Sequence, residues 1–418
     1  MKKKISKKNN PSFNGYRKFT IVIPTRDRAD TLIYSIQNAL AQDYENFEIL
    51  VSDNASNDNT KKVVLEFNDK RIRYINTGKR VSMSHNWEFA LDHVSDGWVT
   101  LLGDDDGLLP GALKTVNKII DETDTQAIRS NGSTYAWPSL HSEEYGRLTL
   151  SLKKGYKKVD SKKTLTKVMN GELQYNNLPV LYNGGFVDIC LINEVKVIMG
   201  RFFHSMAPDV YSGIVFSLLI DEYIYSNEPL AINGASHHST GTAGYEKNKR
   251  KREYNPSKMF YTESNIQFHK DLPLLSNGAP VSSLQAVVYE CYLQAAPFHK
   301  KKNLTVLPEK QLKIIFMTAY PHYDEVYNWG RCFAKLHDIN YEKILQNSLN
   351  KKSKFLWQLK KGELKFNNFL STFYLNGNKN LPLKNILQAS IVLSDLKSIN
   401  PGLLKRVINI LTHIKKIY

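Results

Sequence analysis

Cysteine is scarce in this 418-residue chain: Cys190, Cys291 and Cys332 stand far apart and form no CxxC pair. That argues against a disulfide framework or a thiolate zinc site and fits a reducing compartment. Long apolar runs are also missing. A membrane span needs about 18 consecutive apolar residues, and the best run, Val210 to Ile220, is broken by Ser212, Gly213 and Ser217 and closed by Asp221 and Glu222. The opening MKKKISKKNN has the basic flank of a secretion signal, but PSFNGYRK follows where an apolar segment belongs, so residues 1–17 are expected as a basic, disordered tail.

Acids are too few to balance the bases: 40 Asp and Glu face 57 Lys and Arg, a net charge of +17. Such a surplus implies a negative partner, whether nucleic acid, an anionic membrane face or a phosphorylated substrate. No zinc finger, RNP-like aromatic motif or helix-turn-helix signature is present. The surplus is concentrated in residues 351–418, with thirteen Lys or Arg against Glu363 and Asp395, so no nucleic-acid partner is expected.

What is present is an alternation of strands and helices. FTIVIP (19–24) is a β-branched run ended by proline, and Leu32, Ile33, Ile36, Ala39 and Leu40 follow at helical spacing behind Asp30 as N-cap. FEILVS (47–52), a helix capped by Asn57 or Asp58, RIRYI (71–75), a helix over 84–94 and WVTLL (98–102) continue the pattern. Alternation with short connections predicts an α/β fold, a parallel sheet covered on both faces, in which ligands bind at the carboxyl ends of the strands. Tyr175 to Gly185 is rich in Gly, Tyr and Asn and reads as loop beside a ligand, with Gly184 and Gly185 as candidate donor-sugar or acceptor contacts. Residues 200–226 read as helical and PLAING (229–234) as a strand end.

The expected division is a nucleotide-binding domain over 18–245, a charged linker over 246–260 and a mostly helical basic region over 261–418 for acceptor, oligomer or membrane contact. The final helix, with Asn400 as cap and Pro401 at its first position, gathers Leu404, Val407, Leu411 and Ile414 on one face. It suits either an anionic membrane surface or its own domain.

Asp104, Asp105 and Asp106 emerge together after a buried strand and before Gly107 and Pro110. Their mutual repulsion is offset by a hard divalent cation, which takes oxygen ligands and is held by one or two carboxylates plus substrate phosphates. Such an ion would neutralise a diphosphate leaving group. The bland alternative is a solvated acidic turn.

The order VIPTRDR, FEILVSDNASNDNT, SHNWEFAL and WVTLLGDDDGLLPGAL resembles the family 2 glycosyltransferases over about residues 18–120. The resemblance implies the GT-A fold and sugar transfer with inversion from a nucleotide donor, a UDP-sugar in the first instance, to a saccharide or lipid-linked saccharide in bacterial surface-polysaccharide synthesis. It places the nucleotide on Pro24, Thr25, Arg26, Asp53, Asp104 and Asp105, with Asp53 accepting the base N3–H. It places Mn2+ or Mg2+ on Asp105, Asp106 and His238, the last from INGASHHSTGTAG, where Gly241 and Gly244 would let a loop close. The common DxDD pattern has its first Asp where Gly103 stands here. The segment FFHSMAPDVYSGIVFSLL resembles the one that supplies the catalytic base, implying Asp209, which otherwise reads as a helix N-cap. Lys79, Arg80 and His85, between the third strand and the next helix, are candidate phosphate contacts, with ordinary solvated loop residues as the alternative, and Asn86 matches a recurrent Asn of the family that holds loop geometry. The implied location is cytoplasmic, peripheral on the inner membrane face, with oligomerisation open. A non-catalytic scaffold of the same fold is the alternative.

Overall fold

The computed structural model describes residues 15–139, 146–239, 263–349, 372–376 and 383–398. Most of the expected 1–17 tail, Gly241 and Gly244, the 246–260 linker and the helix from Asn400 lie outside them. An eleven-stranded sheet runs through the molecule. Its first half is β1 (Phe19–Thr25), β2 (Phe47–Asp53), β3 (Ile72–Asn76) and β4 (Trp98–Leu101), all parallel in the order β3-β2-β1-β4. Between them lie helices α1 (Ala29–Leu40), α2 (Thr60–Glu66) and α3 (Met83–Asp92).

Both faces of β1, β2 and β4 are buried, which is why they read as nearly continuous apolar runs, whereas β3 at the end of the strand order is only half-buried. Phe19, Ile21 and Ile23 join Ile49 and Val51 in one core with Leu32 and Ile36 of α1. The alternate residues Val22 and Leu50 face the other core with Trp87, Ala90 and Leu91 of α3. This period of two assigns each helix to its face.

The second half departs from the all-parallel expectation. β5 (Gly107–Leu108), α4 (Ala112–Thr123), β6 (Ala127–Ala136), β7 (Arg147–Ser151), β8 (Tyr156–Asp160), α5 (Ser161–Met169), β9 (Gly185–Asp188), α6 (Ile189–Met199), α7 (Pro208–Leu219) and β10 (Glu222–Ala235) follow. β9 is antiparallel to both β4 and β6, and β10 runs parallel to β6 but antiparallel to β5 and β8. The helix expected over 200–226 is limited to α7, because Tyr223, Ile224 and Ser226 pair into β10. Likewise Asp30 lies in the first turn of α1, whose cap position is Arg28.

The division at the linker does not separate two cores. Helices Leu284–Gln294, Pro308–Met317 and Tyr323–Leu336 bury Ala286, Tyr289, Phe316 and Phe333 in the same core as Val22 and Trp87. The region is mostly helical, but its β11 (Thr372–Asn376) extends the sheet antiparallel to β7. Its helix Ile386–Ser398 buries Ile386, Ala389 and Leu393, and Asn38 of α1 donates to Ser390 Oγ at 2.9 Å. Among the described residues, no helix is long and apolar enough to cross a membrane.

Candidate functional site at the carboxyl rim of the sheet

Register fixes the first part of the site. β1 and β2 run in step, so Thr25 lies beside Asp53 and Pro24 beside Ser52 at their carboxyl ends. Asp53 is almost fully buried. Its Oδ1 accepts from the Ser56 backbone N at 2.9 Å, and its Oδ2 from the Tyr74 hydroxyl at 2.6 Å and Asn76 Nδ2 at 3.1 Å. Burial, with Asp53 beside it, pushes the Tyr74 hydroxyl up to about 12. Asn86 ties α3 to β2: it accepts from Ser52 Oγ at 2.7 Å and donates to the Ser52 carbonyl at 3.2 Å.

The three aspartates have three different environments. Asp104 Oδ2 accepts from Thr25 Oγ1 at 2.8 Å and Oδ1 from Arg28 at 2.9 Å. The same Arg28 donates to the His238 carbonyl at 2.8 Å and so ties the β1 loop to the segment after β10. Asp105 Oδ2 accepts from Ser236 Oγ at 2.6 Å and Ser239 Oγ at 2.7 Å. Burial, then the charge of Asp104, pushes its carboxyl up.

Asp106 is fully buried and engaged on both oxygens, Oδ2 by the Gly103 N at 3.0 Å and the Tyr182 hydroxyl at 2.7 Å, Oδ1 by the Gly234 N at 2.7 Å. Burial raises its pKa too. Gly234 is required by contact: a Cβ there would stand 1.8 Å from the Asp105 carbonyl oxygen.

This geometry corrects the expected metal ligands. Asp106 serves the fold, one oxygen of Asp105 is taken by two serines, and the His238 ring turns to Asp30, Nε2 to Oδ1 at 3.0 Å. Asp105, Asp106 and His238 therefore do not come together as a three-ligand set. Among the described residues, the set whose ligand atoms do come together is Asp30, His237 and His238.

Asp209 is the second residue of α7, behind Ala207 at the cap and Pro208, so the N-cap alternative does not hold. Its Oδ2 accepts from the Tyr175 hydroxyl at 2.8 Å. Burial pushes its carboxyl up, opposed first by that hydroxyl and more weakly by Arg129. Buried Arg129 donates to the carbonyls of Asn176, Tyr182 and Asn183 at 2.9, 2.7 and 2.9 Å and so shapes the 175–183 loop. One loop thus sends Tyr175 to Asp209 and Tyr182 to Asp106, linking α7 to the aspartate turn. Gly184, at φ +87°, and Gly185 meet a steric demand of the fold: a Cβ on Gly185 would lie 1.7 Å from the Val180 carbonyl oxygen.

Arg26 donates to Glu263. Arg80 approaches the same carboxylate at 3.8 Å and pairs with Asp27 at 3.0 Å. His85 is drawn into the α3 cap by Ser82, ring Nδ1 to Oγ at 2.7 Å. Sequence reasoning missed Arg28, Ser236 and Ser239, although they lie within the quoted motifs, and read Asp30 only as a helix cap; Tyr175 and Tyr182 lie in the stretch read as loop beside a ligand without being singled out, and Glu263 carries no local signal.

Residues 20–172 match the Glycosyl transferase family 2 model. The GalNAc(5)-diNAcBac-PP-undecaprenol beta-1,3-glucosyltransferase of Campylobacter jejuni is 39% identical over 108 residues, 25% of this chain and 35% of that protein. The UDP-Glc:alpha-D-GlcNAc-diphosphoundecaprenol beta-1,3-glucosyltransferase WfgD of Escherichia coli is 34% identical over 87 residues, 21% of this chain and 34% of that protein. The matches thus span about a third of the length of these curated relatives. S. aureus TarS 1-349 in complex with UDP-GlcNAc aligns with 13% identity and a TM-score of 0.45 over 79% of this chain and 90% of that one. Over residues 20–172 the chain is therefore similar to glycosyl transferase family 2.

Proposed function

We propose that the chain is an inverting glycosyltransferase that moves a sugar from a UDP-sugar to a saccharide or lipid-linked saccharide in bacterial surface-polysaccharide synthesis. The observation that carries the reading is the 175–183 loop, which hydrogen-bonds Asp209 through Tyr175 and the aspartate turn through Tyr182. The names of the two relatives, both glucosyltransferases with an undecaprenol diphosphate-linked saccharide as acceptor, support a lipid-linked acceptor and make UDP-glucose the first donor to test.

On this reading Pro24, Thr25, Arg26 and Asp53 hold the nucleotide, with Asp104 and Asp105 beside its diphosphate. Asp53 keeps acceptor capacity for a base N–H, since a carboxylate offers about four lone-pair sites and three donors reach it here. The acceptor oxygen bonds to the anomeric carbon from the face opposite the diphosphate while the bond from that carbon to the diphosphate oxygen breaks. The acceptor proton goes to Asp209, and the electron pair leaves with the nucleoside diphosphate. A carboxyl raised by burial suits this task, because a base is most effective with a pKa near the working pH.

The basic C-terminal part fits work at an anionic membrane face, peripheral and cytoplasmic. The test is a panel of UDP-sugars with undecaprenyl-diphosphate saccharides, read by released UDP. Turnover that falls in Asp209→Asn and Asp105→Asn supports the reading. Wild type with no turnover above either variant points to a non-catalytic scaffold.

A further inference from the structure

The segment after β10 turns so that two consecutive histidines lie on one side. The Ser236 N donates to Ser239 Oγ at 2.9 Å and the Ser239 N to the Ser236 carbonyl at 3.2 Å. In an extended strand His237 and His238 would point to opposite faces; in this turn their ring centroids are 3.6 Å apart. Opposite them stands Asp30 in the first turn of α1, its Oδ1 and Oδ2 at 3.0 and 3.3 Å from His238 Nε2. One ligand atom from each of the three lies within 4.8 Å of the others.

An ion with bonds of about 2.1 Å sets neighbouring ligand atoms about 3 to 3.5 Å apart, so small side-chain rotations bring the three to bonding distance. Their frame is fixed, since Arg28 donates to the His238 carbonyl and the His238 N donates to Ser236 Oγ at 3.2 Å. Asp30 is exposed, leaving room for water or a ligand oxygen.

We propose that Asp30, His237 and His238 bind one divalent transition-metal ion, Zn2+, Co2+ or Mn2+, in preference to Mg2+. Two imidazole nitrogens and one carboxylate suit such ions, whereas Mg2+ favours oxygen ligands and retains water. The site is distinct from the carboxylates of Asp104–Asp106 but adjoins them, because Ser236 Oγ accepts from the His238 N and donates to Asp105. Binding at this site does not depend on the proposed sugar transfer.

The test uses the full chain, stripped with chelator and titrated with Co2+ by visible absorption, with Zn2+ and Mg2+ as competitors. One Co2+ per chain is expected, displaced by Zn2+ and not by equal Mg2+. Affinity should fall at least about tenfold in Asp30→Ala, His237→Ala and His238→Ala, the scale on which even outer-shell partners act, and remain near wild type in Asp105→Asn. X-ray absorption of the Zn2+-loaded wild type should show imidazole scattering and requires no variant. Absent stoichiometric binding, an oxygen-only zinc spectrum, or loss in Asp105→Asn with the histidine variants unaffected would overturn the proposal.

Discussion

The Tyr175 hydroxyl donates to Oδ2 of Asp209 at 2.8 Å and is the largest influence holding down a carboxyl that burial drives up. Tyr175→Phe removes that donor without removing the ring. On the proposed function Asp209 is the base and must be ionised, so activity is lost as pH falls through its pKa, and the acidic limb of the pH–rate profile should move to higher pH in Tyr175→Phe. Asp209→Asn should lower kcat by about 10²- to 10⁴-fold with the donor KM little changed. An unshifted limb in Tyr175→Phe would remove this tyrosine from the mechanism.

Gly234 passes against the backbone of Asp105 while its N–H donates to Asp106. In Gly234→Ala the new methyl forces the two segments apart, at a cost of about 2 to 4 kcal/mol. Thermal unfolding should register a clear drop in Tm.

Glu290 is buried beneath α7, accepting from Ser205 Oγ at 2.5 Å and Gln294 at 2.7 Å, and burial raises its pKa from 4.5 to about 7. A raised carboxyl means that the folded state holds the proton more tightly. Its contribution is therefore complete below about pH 4.5 and lost as pH rises to about 7, on the order of 3 kcal/mol at most. Glu290→Gln keeps the volume and an acceptor. Denaturant unfolding between pH 5 and 8 should show a flatter profile in this variant; an identical slope would mean that Glu290 does not titrate there.

Glu263 sits against Arg26 and near Arg80, and on the proposed function Arg26 faces the donor. The carboxylate then competes with the incoming phosphates. Glu263→Gln should lower the donor KM severalfold, most strongly at low salt, and change stability by about 1 kcal/mol or less, as is usual for partly exposed pairs. A raised KM would show that Glu263 assists binding.

In the C-terminal region Leu383, Ile386, Ala389 and Leu393 are buried at 5% exposure or less, and each large side chain contributes about 1.5 to 3 kcal/mol. Truncation before residue 383 should strongly destabilise the chain. Removing 399–418 should weaken co-sedimentation with anionic liposomes, if that basic segment makes the membrane contact.

Legibility in the sequence followed locality. β1, β2 and β4 were readable because burial on both faces leaves nearly unbroken apolar runs, β3 by its place in the alternation, and the helices between them repeat on the 3.6-residue period. β9 was not, and β10 only at its PLAING end, since their antiparallel and mixed pairings depend on segments far away in the chain. β11 and the helix Ile386–Ser398 read as part of a separate basic region, because nothing near them in sequence reveals that Tyr135 reaches the Leu383 carbonyl at 2.8 Å or that Asn38 reaches Ser390.

The sequence by itself determined the alternating α/β half, the placement of Asp53 and the aspartate turn at strand ends, and the family that these motifs resemble; strand periodicity and turn chemistry are local properties. Tertiary structure alone decided the division of labour among acids of one type. Asp106 accepts from Tyr182 and the Gly234 N, Asp105 from two serines, Asp104 from Arg28, while Asp30 meets His238. A carboxylate's role depends on its desolvation and on which donors reach it, and those donors come from elements up to 208 residues away.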